Sequence, residues 1–287
     1  MKDFASLPDY DIILVDTMNL AARNYYGLRQ LSWEGKPTGM LFGIARFALT
    51  TQKMYPKARI IFLWEGVNSK RQSLHSFYKS YRKRDTDFRN QIGEIEPFLL
   101  NLEVDQMYHI GLEADDLAGY ITSVSEVSDN ILLVTTDEDW FQFMKSDRID
   151  LQRRDNIETY DDIQASLGFP PEKMGMWKIL KGDKTDDILG IRNFPSAAAR
   201  LMVNRCSDYK QFRDFPLSRH NPSWIKWENE IRTNWHSIIE RNAELILFHP
   251  DWIETSQIVC KKGVYNRKAV IKALEDRGMN SLVKEVR

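Results

Sequence analysis

Ile12-Ile13-Leu14-Val15-Asp16, Ile60-Ile61-Phe62-Leu63-Trp64-Glu65 and Ile131-Leu132-Leu133-Val134-Thr135-Thr136-Asp137-Glu138-Asp139 decide the fold of this chain. Each is a short apolar run that ends in acid. Runs of this length and composition read as strands buried on both faces, as in a parallel sheet. In open α/β sheets ligands gather outside the carboxyl ends of the strands. Here those ends carry Asp and Glu rather than glycines or a nucleophile. Carboxylates forced together repel unless cations lie between them, so the pattern predicts a divalent-metal site.

Outward from these runs the elements alternate. Asn19 to Leu28 reads as a helix. Pro37 stands at the first turn of an amphipathic helix carrying Leu41, Ile44, Ala45, Ala48 and Leu49. A basic stretch from Asn68 to Arg84 places Leu74, Phe77, Tyr78 and Tyr81 at helical spacing, and a further helix over Ile92 to Leu102 is expected to break or bend at Pro97. Glu113-Ala114-Asp115-Asp116 opens another helix, where first-turn acids suit the helix dipole. The βαβ alternation up to about Leu151 predicts an α/β fold with a mainly parallel twisted sheet flanked by helices. Beyond Tyr160 strand-like runs nearly vanish. Pro170-Pro171 marks a junction, and Trp224 to Phe248 is the longest helical stretch that follows.

Composition narrows the function. The 287 residues hold 43% hydrophobic side chains, enough for an ordinary core, and no apolar stretch approaches the ~18 residues of a membrane span. The start of the chain carries acid and proline instead of a signal-peptide pattern. Cys206 and Cys260 fit no metal spacing and read as reduced structural thiols of a cytoplasmic protein. A net charge of −1 excludes a generic nucleic-acid coat, yet the charge is segregated. Lys70, Arg71, Lys79, Arg82, Lys83, Arg84 and Arg89 crowd one segment, while acids crowd others. A basic patch beside an acidic site suits a polyanionic substrate whose chemistry needs metal ions.

Gly182-Asp183-Lys184-Thr185-Asp186-Asp187 adds a further acidic motif, with Asp183 and Asp186 spaced to face one side of a turn. Each motif alone also has a structural explanation. Asp16 and Asp137 are suitable helix caps, and Glu113 to Asp116 suit a helix start. Five separate segments supply acids, however, and a chain needing only caps would often use Ser, Thr or Asn. The motifs lack His and Cys, which argues against zinc and for magnesium or manganese, hard ions that a two-ion site holds with several carboxylates.

Val15-Asp16-Thr17-Met18-Asn19-Leu20, Gly111-Leu112-Glu113-Ala114-Asp115-Asp116, Thr136-Asp137-Glu138-Asp139 and Lys178-Ile179-Leu180-Lys181-Gly182-Asp183-Lys184-Thr185-Asp186-Asp187 resemble, in this order, the motifs of the structure-specific 5′ nucleases. That family includes flap endonucleases, the 5′-3′ exonuclease domain of bacterial DNA polymerase I, and phage exonucleases and ribonucleases H. The resemblance covers about Asp11 to Leu201 and is nearest to the free-standing phage type. It implies a PIN-like nuclease core over residues 1–168, with a helical arch around 68–92, and a helical DNA-binding region over 169–287. It implies that Asp16, Glu65, Glu113, Asp115 and Asp116 form a first metal cluster, and Asp137, Asp139, Asp183 and Asp186 a second. Glu65 departs from the usual Asp, and Asp187 stands where the family has Asn and is not counted.

Tyr78-Lys79-Ser80-Tyr81-Arg82 resembles the family's Tyr-Lys-x-x-Arg at the base of the arch. Lys79 and Arg82 then face a scissile phosphate as catalytic cations, and Lys70, Arg71, Tyr81, Lys83 and Arg84 line the path of the nucleic acid. For the tyrosines the preferred reading is core packing. Ile188 to Val203 corresponds to a helix–three-turn–helix that grips duplex, often through a Gly-Ile-Gly turn binding potassium. Here that turn is Asn193-Phe194-Pro195, so a potassium cradle in its usual form is not expected. Duplex grip is then expected either to be weaker or to shift to Arg192, Arg200, Arg205 and the basic residues Lys261, Lys262, Arg267 and Lys268.

The expected activity is therefore metal-dependent hydrolysis near the 5′ ends of flapped or nicked DNA, with RNA–DNA hybrid as a further substrate. Two alternatives stay open: an inactive module that binds branched DNA, and a PIN-like ribonuclease. The protein is expected to be a cytoplasmic monomer of a bacterial or phage-infected cell. A single-strand-binding or clamp protein is a conceivable partner, although no clear clamp peptide stands at the C-terminus.

Overall fold

A computed structural model describes residues 8–67, 69–79, 86–126, 128–145 and 147–286. The three acid-tipped runs are adjacent or near-adjacent strands. Strands β1 (Ile12–Asp16), β2 (Arg59–Trp64), β3 (Asp105–His109), β4 (Ile131–Val134) and β5 (Ile149–Arg153) form a parallel block in the order β3-β2-β1-β4-β5. The chain winds outward from β1 through β2 to β3, then crosses to β4 on the other side of β1. The topological switch therefore lies between β1 and β4, where a crevice opens outside the strand ends. Asp16 ends one of those strands and Asp137 follows the other.

Both faces of the block are covered, as the unbroken apolar runs require. Ile13, Leu14 and Val15 are each fully buried. Leu14, Ile61, Leu63 and Leu133 pack on one side against α5 (Ala114–Val124), α7 (Met174–Lys181) and α8 (Ser196–Arg205). Ile13, Val15, Phe62 and Leu132 pack on the other against α1 (Thr17–Gly27), α2 (Gly39–Met54) and α4 (Thr86–Leu100). This is the period-2 alternation of a strand, with an apolar partner on each side.

Several expectations change in detail. Pro37 lies outside α2, in a two-residue strand pairing Lys36–Pro37 with Ser32–Trp33, and Thr38 takes the N-cap position without a side-chain bond to the helix. Pro97 sits inside α4 and does not end it. The helix expected through the basic segment stops early: α3 spans only Lys70–Leu74, and Lys79 has a left-handed backbone (φ 53°). Residues 80–85, Arg82 among them, lie outside the described residues, so the expected arch around 68–92 is described only in part. The stretch from Trp224 to Phe248 is three pieces, Ile225–Thr233, a π-turn Trp235–Glu240 and Arg241–Ile246.

Strand content also returns late in the chain. Ile258–Lys261 (β7) pairs antiparallel with the edge of β3, while Asn156–Glu158 (β6), which leads into α6 (Tyr160–Leu167), closes the other edge against β5. Val270 and Leu274, on the helix Arg267–Glu275, enter the core beside α2 and α4. Residues 169–287 therefore hold segments that complete the sheet and its core as well as helices. Among the described residues no helix is long and apolar enough to cross a membrane.

Candidate active site

The acids assemble at the carboxyl ends of the parallel strands, and each is placed by a local device. Asp16 is the N-cap of α1, accepting the Asn19 N–H at 3.0 Å, and it also accepts the Thr135 hydroxyl at 2.8 Å. Asn19 in turn accepts the Thr136 N–H at 3.1 Å, tying the β4 end to α1. Asp137 caps the 3₁₀ turn Glu138–Phe143 through the Asp139 N–H at 3.0 Å. Capping and site-building thus coincide in the same side chains.

Glu65 follows β2 and is exposed. A side chain on the next residue, Gly66, would put its Cβ 2.2 Å from the His109 carbonyl oxygen and 2.5 Å from that of Leu112. Glycine there lets the Glu65 loop lie flat on the loop leading to Glu113. Gly182 (φ 77°) does the same for the hairpin that pairs Gly182–Asp183 with Ile188–Leu189, since a Cβ would lie 2.3 Å from Gly190 N. Asp187, also left-handed (φ 60°), occupies the turn of that hairpin.

Within α5 the Glu-Ala-Asp-Asp motif sends its three acids to different partners. Glu113, 4% exposed, accepts Lys79 Nζ at 2.8 Å, Tyr78 Oη at 3.0 Å and Ser69 Oγ at 3.1 Å. Asp115 accepts the Trp140 indole N–H at 2.6 Å and otherwise feels the charges of Asp137, Lys79, Asp16 and Glu65. Asp116 turns inward, 1% exposed, where Arg71 grips it with two bonds of 2.6 and 2.8 Å.

Two expectations change at this point. Asp116 is not placed as a metal ligand, because both its oxygens are engaged by Arg71 and one also accepts the Glu113 N–H at 3.2 Å. Arg71 is not a phosphate contact. It is 5% exposed and also donates to the Leu245 carbonyl at 2.9 Å and the Leu247 carbonyl at 3.1 Å. Asp186 accepts Tyr78 Oη at 3.2 Å and lies 3.7 Å from Lys79 Nζ, the two groups that also bond Glu113.

Asp139 and Asp183 share one cation that sequence reasoning passed over. Lys178, on α7, pairs with Asp139 and with Asp183, the latter at 2.7 Å. Asp183 is fixed further by the Thr185 N–H at 2.8 Å and hydroxyl at 2.6 Å. Tyr78 is buried, and its hydroxyl lies between Glu113 and Asp186, 3.0 and 3.2 Å from their oxygens. Lys178 lies within the last of the acidic motifs, but a lysine near a helix C-terminus carries no distinguishing signal.

The remaining basic residues sort by exposure. Lys70 is exposed and lies 4.7 Å from the Trp252 ring centroid, an aromatic contribution that the sequence did not suggest. Arg192 and Arg200 are exposed, with Arg200 Nε on the Leu167 carbonyl at 2.9 Å. Lys261 is paired with Glu96 at the sheet edge. Tyr81, Arg82, Lys83 and Arg84 lie outside the described residues.

Electrostatics divides the acids into held and unheld. Burial works against the Glu113 charge, yet Lys79 and Arg71 keep its carboxyl below the usual range. Asp183 is likewise kept low, against burial, by Lys178 and the Thr185 donors. Burial pushes Asp16 up to about 6, with Asp137 adding to it. Burial, with Asp137 and Asp183, takes Asp139 to about 7 in spite of Lys178. Asp115 is raised well above its usual value by burial and then by Asp137, Asp16 and Glu65. Among the described residues no three His, Cys, Asp or Glu side chains close on one point as a ready metal cage. Lys79 and Lys178 lie between acids where further cations would serve the same purpose. The donor set itself, all carboxylate oxygen on separate segments, fits hard divalent ions.

These shifts fix a pH dependence. A carboxyl raised in the folded state contributes stability that is complete below its unfolded pKa, near 4. That contribution is lost as pH rises through the folded value. For Asp16 and Asp139 the window is therefore about pH 4 to 7, whereas the lowered Glu113 and Asp183 act only in more acid solution. The melting temperature of the metal-free protein should fall between pH 5.5 and 8. Magnesium should restore it at pH 8 and do little at pH 5.5, because protons compete for the same oxygens. A melting temperature that climbs over this range without metal would contradict the assignment.

Residues 11–168 match the family model described as 5′-3′ exonuclease, N-terminal resolvase-like domain. A thermostable DNA polymerase I of Thermus filiformis is 29% identical over 200 residues, covering 68% of this chain but only 24% of that protein. A 5′-3′ exonuclease of Aquifex aeolicus is 23% identical over 281 residues, covering 96% of this chain and 94% of its own length. The bacteriophage T5 flap endonuclease, solved as a pseudo-enzyme-product complex with DNA and metal ions, superposes with a TM-score of 0.66 at 17% identity, covering 96% and 97% of the two chains. That structural likeness establishes the shared fold, and the match over residues 11–168 makes the chain a member of the 5′-3′ exonuclease family.

Proposed function

We propose that this chain hydrolyses phosphodiesters near the 5′ ends of flapped or nicked DNA, using two magnesium or manganese ions, and that RNA–DNA hybrid is a further substrate. The observation that carries the reading is the placement of Asp16 and Asp137 at the carboxyl ends of two adjacent parallel strands beside Asp115, whose carboxyl is raised well above its usual value by burial and then by these acids. Binding a polyanion gains nothing from such a cluster, whereas a divalent ion relieves it. The metal ions in the T5 complex and its DNA point the same way.

Asp16, Glu65, Asp115 and Asp137 would hold one ion, with Glu113 and Asp186 beside it, and Asp139 and Asp183 would hold the other. Bound ions of this class supply a water of lowered pKa and positive charge for the leaving oxygen. The protein's own groups do the positioning. Thr135 and Asn19 fix the Asp16 carboxylate and the β4 end. Lys178 keeps Asp139 and Asp183 from repelling each other. Lys79, brought to the site on its left-handed turn, offsets charge that builds on the phosphoryl group.

The test uses a 5′-labelled flap, a nicked duplex and an RNA–DNA hybrid, each with magnesium or with EDTA. Metal-dependent release of short 5′ products from the flap or nick is the expected result. Tight binding with no cleavage of any substrate would favour the inactive module, and cleavage confined to the RNA strand would favour a ribonuclease.

A further inference from the structure

Lys181 ends α7, and its ammonium reaches across to the turn that precedes α8, donating to the Phe194 carbonyl at 2.5 Å. The turn is held from several sides. Phe194 is 2% exposed and meets Trp227 edge-on, with ring centroids 6.5 Å apart. Its N–H donates to the Ile191 carbonyl at 3.1 Å, and the Ile191 N–H donates to the Leu180 carbonyl at 2.9 Å. Asn193 supplies a left-handed residue, with φ 54°. The Pro195 carbonyl accepts the Ala199 N–H at 3.0 Å, the first bond of α8.

A monovalent cation held by backbone needs several carbonyl oxygens converging to replace its water. Here the carbonyls of Ile191, Phe194 and Pro195 already accept N–H donors, and one of those donors carries the charge itself. The turn therefore does not fit the potassium site that the resemblance implies. We propose that the Lys181 ammonium is the permanent cation of this turn, so that the hold on duplex exerted here, with exposed Arg192 on its outer side, does not require potassium. This rests on the reading of the chain as a nuclease that grips duplex.

Covalent attachment explains why the turn tolerates the loss of glycine. An ion must be surrounded by bare carbonyls, which glycines allow by bending the backbone freely. An ammonium on a four-carbon stem needs only one carbonyl in reach and brings its own donors. Lys178 lies three residues earlier on the same helix, so α7 ties both the acid pair and the turn.

The experiment is fluorescence anisotropy of the full chain on nicked duplex in EDTA, in potassium chloride or in tetramethylammonium chloride at equal ionic strength. Wild-type affinity should agree within twofold between the salts. Lys181→Met should bind at least tenfold more weakly in tetramethylammonium, and Lys181→Arg should retain most of the affinity. A wild-type loss of tenfold or more without potassium would overturn the proposal, as would undiminished binding by Lys181→Met. The wild-type salt comparison stands even if that variant fails to fold. Magnesium-dependent cleavage of a single-stranded 5′ end in tetramethylammonium is read in parallel. Its absence counts against the nuclease reading; its presence beside potassium-dependent duplex binding counts against this inference alone.

Discussion

Asp115→Asn should lower cleavage at saturating magnesium by on the order of 10³-fold, about 4 kcal/mol in the barrier, and should leave the protein at least as stable as the wild type at pH 8. The two halves of this expectation come from one geometry. The Trp140 indole donates to Asp115 Oδ1, and an asparagine oxygen accepts that bond equally well. What the amide cannot do is carry charge in a buried place among Asp137, Asp16 and Glu65, where burial first and then their repulsion raise the Asp115 carboxyl in the folded state. Removing that repulsion favours folding at pH 8, where the charge is most costly. Removing the charge also removes a ligand that hard divalent ions need. Thermal melts and single-turnover kinetics on the flap substrate measure both. Near-normal turnover would remove Asp115 from the chemistry, and a large loss of stability would make its role structural. Asp139→Asn is the companion case: Lys178 retains Asp183 as a partner, so folding should survive while cleavage does not.

How much of this was legible in the sequence depends on which interactions decided each element. The strands β1, β2 and β4 were legible because burial on both faces leaves an uninterrupted apolar run, and their acidic ends then follow from position alone. The side on which β4 joins β1 was not, since winding order leaves no trace in a run of four residues. The basic segment misled for a different reason. Leu74, Phe77 and Tyr78 keep a helical spacing, yet Leu74 and Phe77 are exposed and only Tyr78 is buried. The hydroxyl of Tyr78 bonds Glu113 and Asp186, and these buried bonds to charged groups override a weak local preference. The edge strand Ile258–Lys261 was illegible because three half-buried residues and one exposed one carry no periodicity and are ordered by pairing with Met107 and its neighbours. Lys178 shows the limit most plainly. Its role exists only because the hairpin brings Asp183 and the 3₁₀ turn brings Asp139 to the same ammonium.

Arg71→Ala should destabilise the protein by about 3–5 kcal/mol, a drop in melting temperature on the order of 10 °C for a chain of this size. The basic segment as a whole suggested a phosphate contact, and the two roles differ in what a measurement reads. Removing a surface cation that touches phosphate weakens DNA binding roughly evenly across sequences, flattens the salt dependence and leaves stability alone. Arg71 is instead enclosed, with the Asp116 carboxylate on one edge of its guanidinium and the Leu245 and Leu247 carbonyls also accepting from it. Alanine would strand a carboxylate that is 1% exposed and two carbonyls without their donor. Lysine would restore the charge but not the paired geometry, so Arg71→Lys should recover only part of the loss. Because Asp116 also accepts the Glu113 N–H, the pair fixes the first turn of α5 and with it the placement of Glu113 and Asp115. Activity measured below the melting transition should therefore fall through disorder of that turn, and Asp116→Ala should resemble Arg71→Ala. In a double-mutant cycle the two losses should overlap strongly, since either substitution alone removes the whole interaction. Losses that simply add, or an unchanged melting temperature with a smaller salt slope, would return Arg71 to the nucleic-acid interface.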